Sequence, residues 1–477
     1  MGLTLDPKII QGDILSGLAK KKETFYFFQI NSNNVPGFQK QLATFVPLVT
    51  TSAKADDCRK DIRKAKEEAA RKGEKCPLIE ISGVNISFSQ KGLNVLGIKD
   101  DIGDEDFKNG MLSEIDVLGD VLQDWDPAFQ KDIHGVILVA ANCKSVLDQT
   151  LDHIKKIFKV GDAQAGIIEI KTLEGSTRPD EEDGHEHFGF NDGLSQPSIK
   201  DFDTDPQPGQ KTIDSGVILL GRDGDAKKDT RPSWACEGSF LAFRYLRQLV
   251  PEFNKFLEDN ILVIDGTPVP ELLGARMVGR WKSGASVQQT PTQDDPEFVD
   301  PSVNQAFTHD KNSQVMCPFA AHTRKTNPRG DIPDSAIAPS RILRRGIPFG
   351  PEVTDEEKAA KKSSDDEKLE RGLLFACYQS NLDKGFRFVQ QSWANNANFP
   401  PQKQNGIPKV DQPGIDPLIG VGTPRQMAGS NPDINAANTN LPFDAKWVIS
   451  RGGEYFFSPS IPALKDTFAA KATPAEL

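Results

Sequence analysis

The order in which strand-like and helix-like segments follow one another constrains the fold of this chain more than any other feature. In the first third of the sequence, short segments rich in aromatic and β-branched residues are separated by segments of helix-forming residues. The predicted strands are 24–30, 78–88 and 132–141, and the predicted helices are 36–49, 54–75 and 146–158. The order strand, helix, strand, strand, helix, strand is typical of a ferredoxin-like α+β sandwich.

The second half of the sequence repeats this kind of content. Its predicted strands are 239–246 and 372–379, and its predicted helices are 246–257 and 385–393. Similar content in both halves indicates a duplication, although no residue-level repeat is visible. A segment rich in Asp, Gly, Pro and Lys at 201–229 marks the junction near its start. We therefore expect an α+β protein of two ferredoxin-like domains, residues 1–205 and 206–477.

Charge and composition exclude several classes of protein. The net charge of −11 repels phosphate backbones, so nucleic acid is not an expected partner. No segment approaches the roughly 18 consecutive apolar residues of a membrane helix, so no membrane association is expected. The six cysteines stand singly, which is neither a disulfide framework nor a paired zinc-binding pattern. Segment 351–370, rich in Glu, Asp, Lys and Ser, is predicted to be an exposed loop.

The first residues do not resemble a signal peptide, because they lack a basic start and an apolar core. The chain is therefore either a protein that is not exported by the standard route or a mature form. We expect an extracellular protein, with a cytoplasmic location as the alternative. The sequon Asn85-Ile86-Ser87 would matter only for an exported protein.

Histidine is scarce, with six residues in the chain, and His322 stands in the most distinctive setting. An apolar run at 319–321 leads to it, and three cations follow within seven positions, namely Arg324, Lys325 and Arg329. Haem fits this pattern, because iron requires an imidazole, the macrocycle requires apolar walls and the propionates require cations. The alternative is a buried, hydrogen-bonded histidine beside a basic surface patch.

Two further segments carry candidate site residues. His185 and His187 would share a face of an extended segment, which leaves a zinc site as an alternative, although a third ligand would have to come from elsewhere. Asp192 follows in the pattern Gly-x-x-Asp-Gly, which taken alone indicates a turn. Arg344 follows the apolar residues 342–343 and is either directed into a cavity or solvated.

Together these motifs resemble those of the dye-decolorizing peroxidases, and the fungal branch most closely. The matching segments are IQGDI at 10–14, GFNDG at 189–193, GRWKSG at 279–284, CPFAAHTRKTNPR at 317–329, RRGIP at 344–348, GIDPLIG at 414–420 and GGEYFFSP at 452–459. Each match is weak alone, whereas the ordered set is specific. The resemblance implies two ferredoxin-like domains in a barrel-like duplication of the dimeric α+β kind, with one b-type haem (heme b) bound mainly in the C-terminal half.

The resemblance also implies roles for four residues around the iron. His322 would be the proximal ligand and thus the metal-binding residue. Asp416 would accept a hydrogen bond from the other ring nitrogen and increase the anionic character of the imidazole. On the distal side, Asp192 would act as the acid–base group, and Arg344 would stabilise the charge that develops beside it.

Five more residues follow from the same resemblance. Leu373 and Phe375 would form walls of the distal pocket. Arg324 and Arg329 are the candidate contacts of the haem propionates. Trp393 matches a surface tryptophan that passes electrons inward from bulky donors, and the alternative for it is an aromatic anchor at the end of a helix.

The implied activity is that of a haem peroxidase. It would use hydrogen peroxide to oxidise dyes, phenols and other aromatic donors, with Mn(II) as a further candidate reductant, in one-electron steps through a ferryl intermediate. Because the unperturbed pKa of an aspartate is about 3.9, we expect an acidic optimum. The alternative function is a haem-binding carrier or sensor without turnover, which would not need Asp192 together with Arg344.

Overall fold

The computed structural model describes residues 4–74, 79–401, 412–423, 425–433 and 439–469. The strands of the first half are β1 (Lys22–Ile30), β2 (Ser82–Phe88), β3 (Gly135–Ala141) and β4 (Ile167–Ser176). They are antiparallel and lie in the order β4-β1-β3-β2. Helices α1 (Val35–Phe45) and α2 (Ser52–Lys72) connect β1 to β2, and α3 (Lys144–Ile157) connects β3 to β4. This confirms the predicted ferredoxin-like arrangement.

Local chemistry explains where these elements begin and end. The side chain of Thr51 accepts the N–H of Lys54 at 3.3 Å and caps the start of α2. Gly73 ends α2 in the left-handed region, with a φ of 67° that glycine adopts without strain. The apolar strand β3 is buried along its whole length, as expected for a central strand of a covered sheet.

The second half repeats the arrangement. Its strands are β5 (Ser239–Gln248), β6 (Leu343–Arg344), β7 (Ile347–Phe349), β8 (Gly372–Gln379) and β9 (Val448–Ser458). Helix α4 (Val250–Asp259) follows β5, and after β8 a helical turn, Phe386–Phe388, continues into a π-helical turn, Val389–Ala394. The order β9-β5-β8, with β6 and β7 both paired to β8, matches the order of the first half. The duplication is therefore confirmed.

The two halves join into one sheet. β9 pairs with β2 where Phe457 lies opposite Phe88. At the other end, β7 lies against β4, and Gly175 of β4 is so close to Ile347 that a Cβ atom there would lie 2.3 Å from Ile347 Cγ2. The sheet thus curves towards a closed barrel.

Aromatic side chains from both halves meet inside this curved sheet. The ring of Phe243 lies 4.9 Å from that of Phe27 and 5.9 Å from that of Phe129, measured between centroids. These rings belong to one continuous apolar core that contains strands of both halves. The boundary predicted after residue 205 falls in the loops between β4 and β5, and it separates chain segments rather than independent cores.

Two predictions for the second half are wrong in detail. The helix predicted from 246 begins later, because residues 246–248 continue β5. Segment 351–370 is not simply an exposed loop, since it contains the helix Asp355–Ala360. Thr354 and Glu357 form a capping box at its start, and Arg371 donates to the buried Glu357 at 2.6 Å.

Shorter elements complete the described residues. The remaining α-helices are Gly12–Leu15, Gln90–Val95, Glu105–Asn109, Ile115–Leu118, Leu272–Val278, His322–Thr326, Asp334–Ile337 and Ile461–Ala463. The strand pairs are Ser198–Ile199 with Thr212–Ile213, Leu262–Ile264 with Thr267–Val269, and Gln426–Ala428 with Asn440–Pro442. A helix long and apolar enough to span a membrane is not found in the described ranges.

Candidate functional site

One face of the second-half sheet borders a cavity of about 310 Å³. Leu373 and Phe375 of β8 line it together with Arg244 and Leu246 of β5. Leu373 pairs with Leu246 and Phe375 with Arg244, and alternate residues of neighbouring strands project from the same face. The structure therefore brings Leu373 and Phe375, the two expected wall residues, to the cavity.

His322 lines the same cavity, where the short helix His322–Thr326 begins. Its Nδ1 donates to Asp416 Oδ2 at 2.7 Å. The other oxygen of the fully buried Asp416 accepts the N–H groups of Leu418 and Ile419 at 2.9 and 3.1 Å. Burial alone would lower the pKa of His322, but the charge and hydrogen bond of Asp416 raise it. The imidazole is fixed through Nδ1, which leaves Nε2 available to a ligand in the cavity.

Asp192 and Arg344 form an ion pair in the cavity lining. Arg344 Nη1 donates to Asp192 Oδ1 at 2.5 Å, and the N–H of Gly193 donates to the same oxygen at 2.6 Å. Burial would raise the pKa of Asp192, but the charge and hydrogen bonds of Arg344 and Gly193 hold it below its usual range. Although Asp192 lies deep in the protein, 40% of its side chain is accessible, because it borders the cavity.

Three arginines, Arg280, Arg329 and Arg341, border another part of the cavity together with His309. Burial and neighbouring arginines lower the pKa values of Arg280 and Arg329 to about 10 and that of His309 well below its usual value. Among the described residues, Nη2 of Arg341 is buried without a hydrogen-bond partner. Three crowded arginines suit an anionic group in the cavity, and Arg329 is where the sequence predicts it.

Arg324 does not reach the cavity, so the prediction that it contacts a propionate is wrong. Its guanidinium is buried and donates to both oxygens of Asp331, at 2.9 and 2.6 Å. Its remaining donors bind the backbone carbonyls of Asp310, Ser313 and Cys317. All five N–H groups of an arginine are thus used inside the protein, and the residue stabilises the loop that carries these carbonyls.

Trp393 is buried, with only 3% of its surface exposed, so the expected surface position is wrong. Its ring stacks on that of Phe399 with a centroid distance of 5.1 Å and an interplanar angle of 4°. The ammonium of Lys325 donates to the Trp393 carbonyl at 3.2 Å. The structure favours the alternative, an aromatic anchor at the end of a helix.

The zinc alternative lacks a ligand set. His187 Nε2 is hydrogen-bonded to the carbonyl oxygen of Phe349 at 2.8 Å, and burial lowers the pKa of His187 to about 4. Within the part of the chain that the structure describes, no three His, Cys, Asp or Glu side chains are grouped so that they could hold a metal ion. The described residues therefore give no support to a zinc site at His185 and His187.

Several residues of the site were not predicted from the motifs. Ser195 and Gln196 lie at the cavity and bind Arg344, and the signal for them was their position directly after the Gly-x-x-Asp-Gly motif. Arg280 lies within a segment that carries the resemblance, and Arg341 lies beside one. Only the folded structure shows that both are part of the cavity lining. His309 had no signal, because only the fold brings it to the arginines.

With this fold and this site, the protein falls in the class of peroxidases built on a duplicated α+β sheet. Two family models match in succession along the chain. The first, described as "DyP dimeric alpha+beta barrel domain", matches residues 9–179, and the second, "Dyp-type peroxidase, C-terminal", matches residues 188–399. The chain belongs to the dye-decolorizing peroxidase family.

Individual relatives agree over nearly the full length. The dye-decolorizing peroxidase of Mycena epipterygia is 44% identical to this chain, and the match covers 98% of this chain and 88% of that protein. A variant of the dye-decolorizing peroxidase of Pleurotus ostreatus has a solved structure that is 45% identical with a TM-score of 0.90, covering 98% of this chain and 100% of that one.

A dye-decolorizing peroxidase solved in complex with 2,6-dimethoxyphenol is 42% identical with a TM-score of 0.85, covering 98% of this chain and 100% of that one. The comparisons therefore identify this chain as an enzyme, a dye-decolorizing peroxidase. The peroxidases of this family are haem enzymes.

Proposed function

We propose that this protein is a haem b peroxidase that uses hydrogen peroxide to oxidise dyes, phenols and other aromatic donors. The observation that carries the proposal is the presence of His322 and the Asp192–Arg344 pair on one shared cavity. A haem carrier or sensor would need His322, but it would not need an ionised carboxylate held beside an arginine. The two distal residues therefore favour turnover over storage.

The residues around the cavity fit a haem. His322 offers a ring nitrogen for the iron, and Leu373 and Phe375 supply apolar walls. The crowded arginines suit the two propionates, above all Arg329. When bound, the haem would supply the iron that takes up the oxidising equivalents of peroxide and passes them to donors one electron at a time.

Asp192 would handle the proton. Its carboxylate can accept the proton of a peroxide molecule in the cavity and return it to the oxygen that leaves as water. Arg344 would stabilise the negative charge that develops on this oxygen. Because the pKa of Asp192 is held below its usual range, the base persists in acid, where a histidine with an unperturbed pKa would be protonated. We expect the reaction with peroxide to persist down to about pH 4.

Phenols and dyes are the donors that the comparisons support. The solved relative in complex with 2,6-dimethoxyphenol makes this phenol the first candidate donor. The cavity of about 310 Å³ would also hold the cofactor, so a bulky dye has to react at the cavity mouth or at the surface. Mn(II) is bound by carboxylates that converge in space. Among the described residues, no three acidic side chains are grouped in this way, so aromatic donors are proposed ahead of Mn(II).

The test combines haem analysis with turnover. The haem in the purified protein is quantified as the pyridine complex, and the peroxide-dependent oxidation of 2,6-dimethoxyphenol and of a bulky dye is followed. We expect one haem b per chain and peroxide-dependent oxidation of both donors that persists at about pH 4. Haem binding without peroxide-dependent oxidation would favour the carrier, and oxidation of Mn(II) alone would overturn the proposed donors.

We also propose that the protein works outside the cell, with the cytoplasm as the alternative. Buried carboxyl groups with a raised pKa, such as Glu23 and Asp104, support this, because they favour folding in an acidic medium. The sequon offers no support, since the Asn85 amide is buried and donates to the carbonyls of Thr50 and Val84. Fractionation of the source cells would show the protein in the medium, whereas recovery from the cytosol alone would contradict export.

A further inference from the structure

The loop that follows Asp192 is bound to Arg344 at several points. Arg344 Nη1 donates to Asp192 Oδ1 at 2.5 Å, and Nη2 donates to the carbonyl oxygen of Ser195 at 3.2 Å. The side chain of Gln196 binds the main chain instead. Its Oε1 accepts the N–H of Arg344 at 3.1 Å, and its Nε2 donates to the Arg344 carbonyl at 3.1 Å. One five-residue loop therefore holds both the guanidinium and the backbone of this arginine.

The backbone of Arg344 needs this support because β6 is short and lies at the edge of the sheet. β6 contains two residues and pairs with β8 on one side only. The N–H of Arg345 donates to the carbonyl oxygen of Ala376 in β8 at 2.7 Å. Because successive residues of a strand direct their backbone N–H and carbonyl groups to opposite sides, those of Arg344 point away from β8. The Gln196 amide takes the place of a neighbouring strand on that outer edge, and the Arg345 side chain adds a bond to the Arg344 carbonyl at 3.1 Å.

We propose that Gln196 is a positioning residue of the peroxide reaction, which fixes the backbone of Arg344 so that its guanidinium stays on Asp192. This inference rests on the proposed function, in which Asp192 and Arg344 act on peroxide. Gln196 borders the cavity but acts through Arg344, and no acid–base role is assigned to it. The two-point amide clamp is specific, because an apolar side chain of similar size, such as methionine, can replace neither hydrogen bond.

Loss of Gln196 should also change the acid limb of the pH dependence, which is the range where the reaction with peroxide slows as the pH falls. The charged groups that act on Asp192 are Arg344, His322 and Glu186, and of these Arg344 contributes most to lowering its pKa. If Arg344 moves away, burial raises the pKa of Asp192, and the base is lost at a higher pH. If replacing Gln196 only loosened the protein and left Arg344 in place, the pH at which the reaction slows in acid would not change.

The test uses the holoprotein and compares Gln196→Met with Gln210→Met. Gln210 donates to the carbonyl of Gln196 at 3.1 Å, so its replacement removes a similar hydrogen bond from the same loop without touching Arg344. Hydrogen exchange of the Arg344 amide reports the clamp directly, and the pH dependence of the reaction with peroxide reports its effect. For Gln196→Met we expect the Arg344 amide to exchange about tenfold faster than in the wild type. We also expect the acid limb to lie about one pH unit higher, with unchanged haem content.

Gln196→Glu should keep the Arg344 amide protected, because a carboxylate still accepts its hydrogen bond. The side chain of Gln196→Asn is too short to reach both the N–H and the carbonyl oxygen of Arg344, so we expect the same result as for Gln196→Met. This variant is used if Gln196→Met does not fold. If the wild type reacts with peroxide but neither variant changes the exchange or the acid limb, or if Gln210→Met changes them equally, the role of Gln196 is overturned. If the wild-type holoprotein does not react with peroxide, the proposed function itself fails.

Discussion

Asp192 borders the cavity and Asp416 lies behind it against His322, and burial gives these two aspartates opposite tasks. Asp416 is fully buried, and its oxygens are occupied by His322 and by two backbone N–H groups, so it can only orient the imidazole. Asp192 keeps 40% of its side chain accessible, so its carboxylate can exchange a proton with a molecule in the cavity.

Replacing Asp192 with asparagine should remove the proton acceptor while leaving the cavity intact. We expect the rate of reaction with peroxide to fall by a factor of about 10²–10⁴, with unchanged haem content, because an amide cannot take up the proton. Stopped-flow absorption measures this rate. Asp205→Asn, at an exposed position away from the cavity, is the matched control. A variant that reacts as fast as the wild type would show that another group moves the proton.

Replacing Trp393 with phenylalanine tests whether bulky donors use this residue. Because the indole is buried against Phe399, we expect the ratio of dye oxidation to oxidation of a small phenol to stay unchanged. Steady-state turnover of both donors measures it. A selective loss of dye oxidation would contradict this expectation and restore an electron-transfer role for Trp393.

The motifs and the resemblance predicted much of the site, and burial accounts for what they did not predict. The motifs place four residues of the site, namely His322, Asp416, Asp192 and Arg344. In the structure, three of them line one cavity, and Asp416 contacts one of these three, His322. The sequence could not show that all the N–H donors of Arg324 bind acceptors inside the protein. It also could not show that Phe399 covers Trp393, or that distant arginines converge, because each of these facts depends on tertiary packing.

At the scale of elements, the closure of the sheet depends on the absence of a side chain at Gly175. Gly175→Ala would place a Cβ atom 2.3 Å from Ile347 Cγ2 and 3.0 Å from the Pro348 carbonyl, between β4 and β7. We expect the free energy of unfolding to fall by about 1–3 kcal/mol, as for other overpacked sites. Denaturant-induced unfolding measures this change.

Two further variants make this prediction specific. Glu174→Ala changes the exposed neighbour on the same strand and should stay within about 0.5 kcal/mol of the wild type. Ile347→Ala should relieve part of the overlap when combined with Gly175→Ala, giving a non-additive double-mutant cycle. Wild-type stability for Gly175→Ala alone would mean that β4 and β7 are not packed together in solution.

The individual strands and helices were predictable because their patterns are local. β8 has the bounds that the sequence predicts, and α1 to α3 lie where helix-forming residues occur. The pairing of β9 with β2 joins residues far apart in sequence and leaves no local pattern. The helix Asp355–Ala360 was missed because its charged composition resembles a loop, whereas a capping box and a buried ion pair stabilise it.

Across the whole molecule, buried acidic groups link stability to pH. Burial raises the pKa of Glu23 to about 7 despite the nearby Lys20, and burial raises that of Asp104 to about 6. A carboxyl group whose pKa is raised in the folded state binds its proton more tightly there than in the unfolded chain. Its contribution is therefore complete below about pH 4 and is lost as the pH rises through the folded-state value.

We expect the free energy of unfolding to decrease between about pH 4 and about pH 7, by up to about 3 kcal/mol from Glu23 alone. Glu23→Gln removes this titration, so its stability should depend less on pH over the same range. Denaturation at several pH values compares the two proteins. A wild type that becomes more stable across this range, or a Glu23→Gln variant with the same slope, would contradict the assignment.

Above all, we propose that His322 would hold the iron of a haem in the cavity that Asp192 and Arg344 also border. The most direct measurement is the absorption spectrum of wild type and His322→Ala before and after one equivalent of peroxide. In the wild type we expect a haem spectrum that changes rapidly with peroxide, whereas His322→Ala should lack haem or no longer react. Full haem content and a wild-type response to peroxide in His322→Ala would rule out His322 as the ligand of the iron.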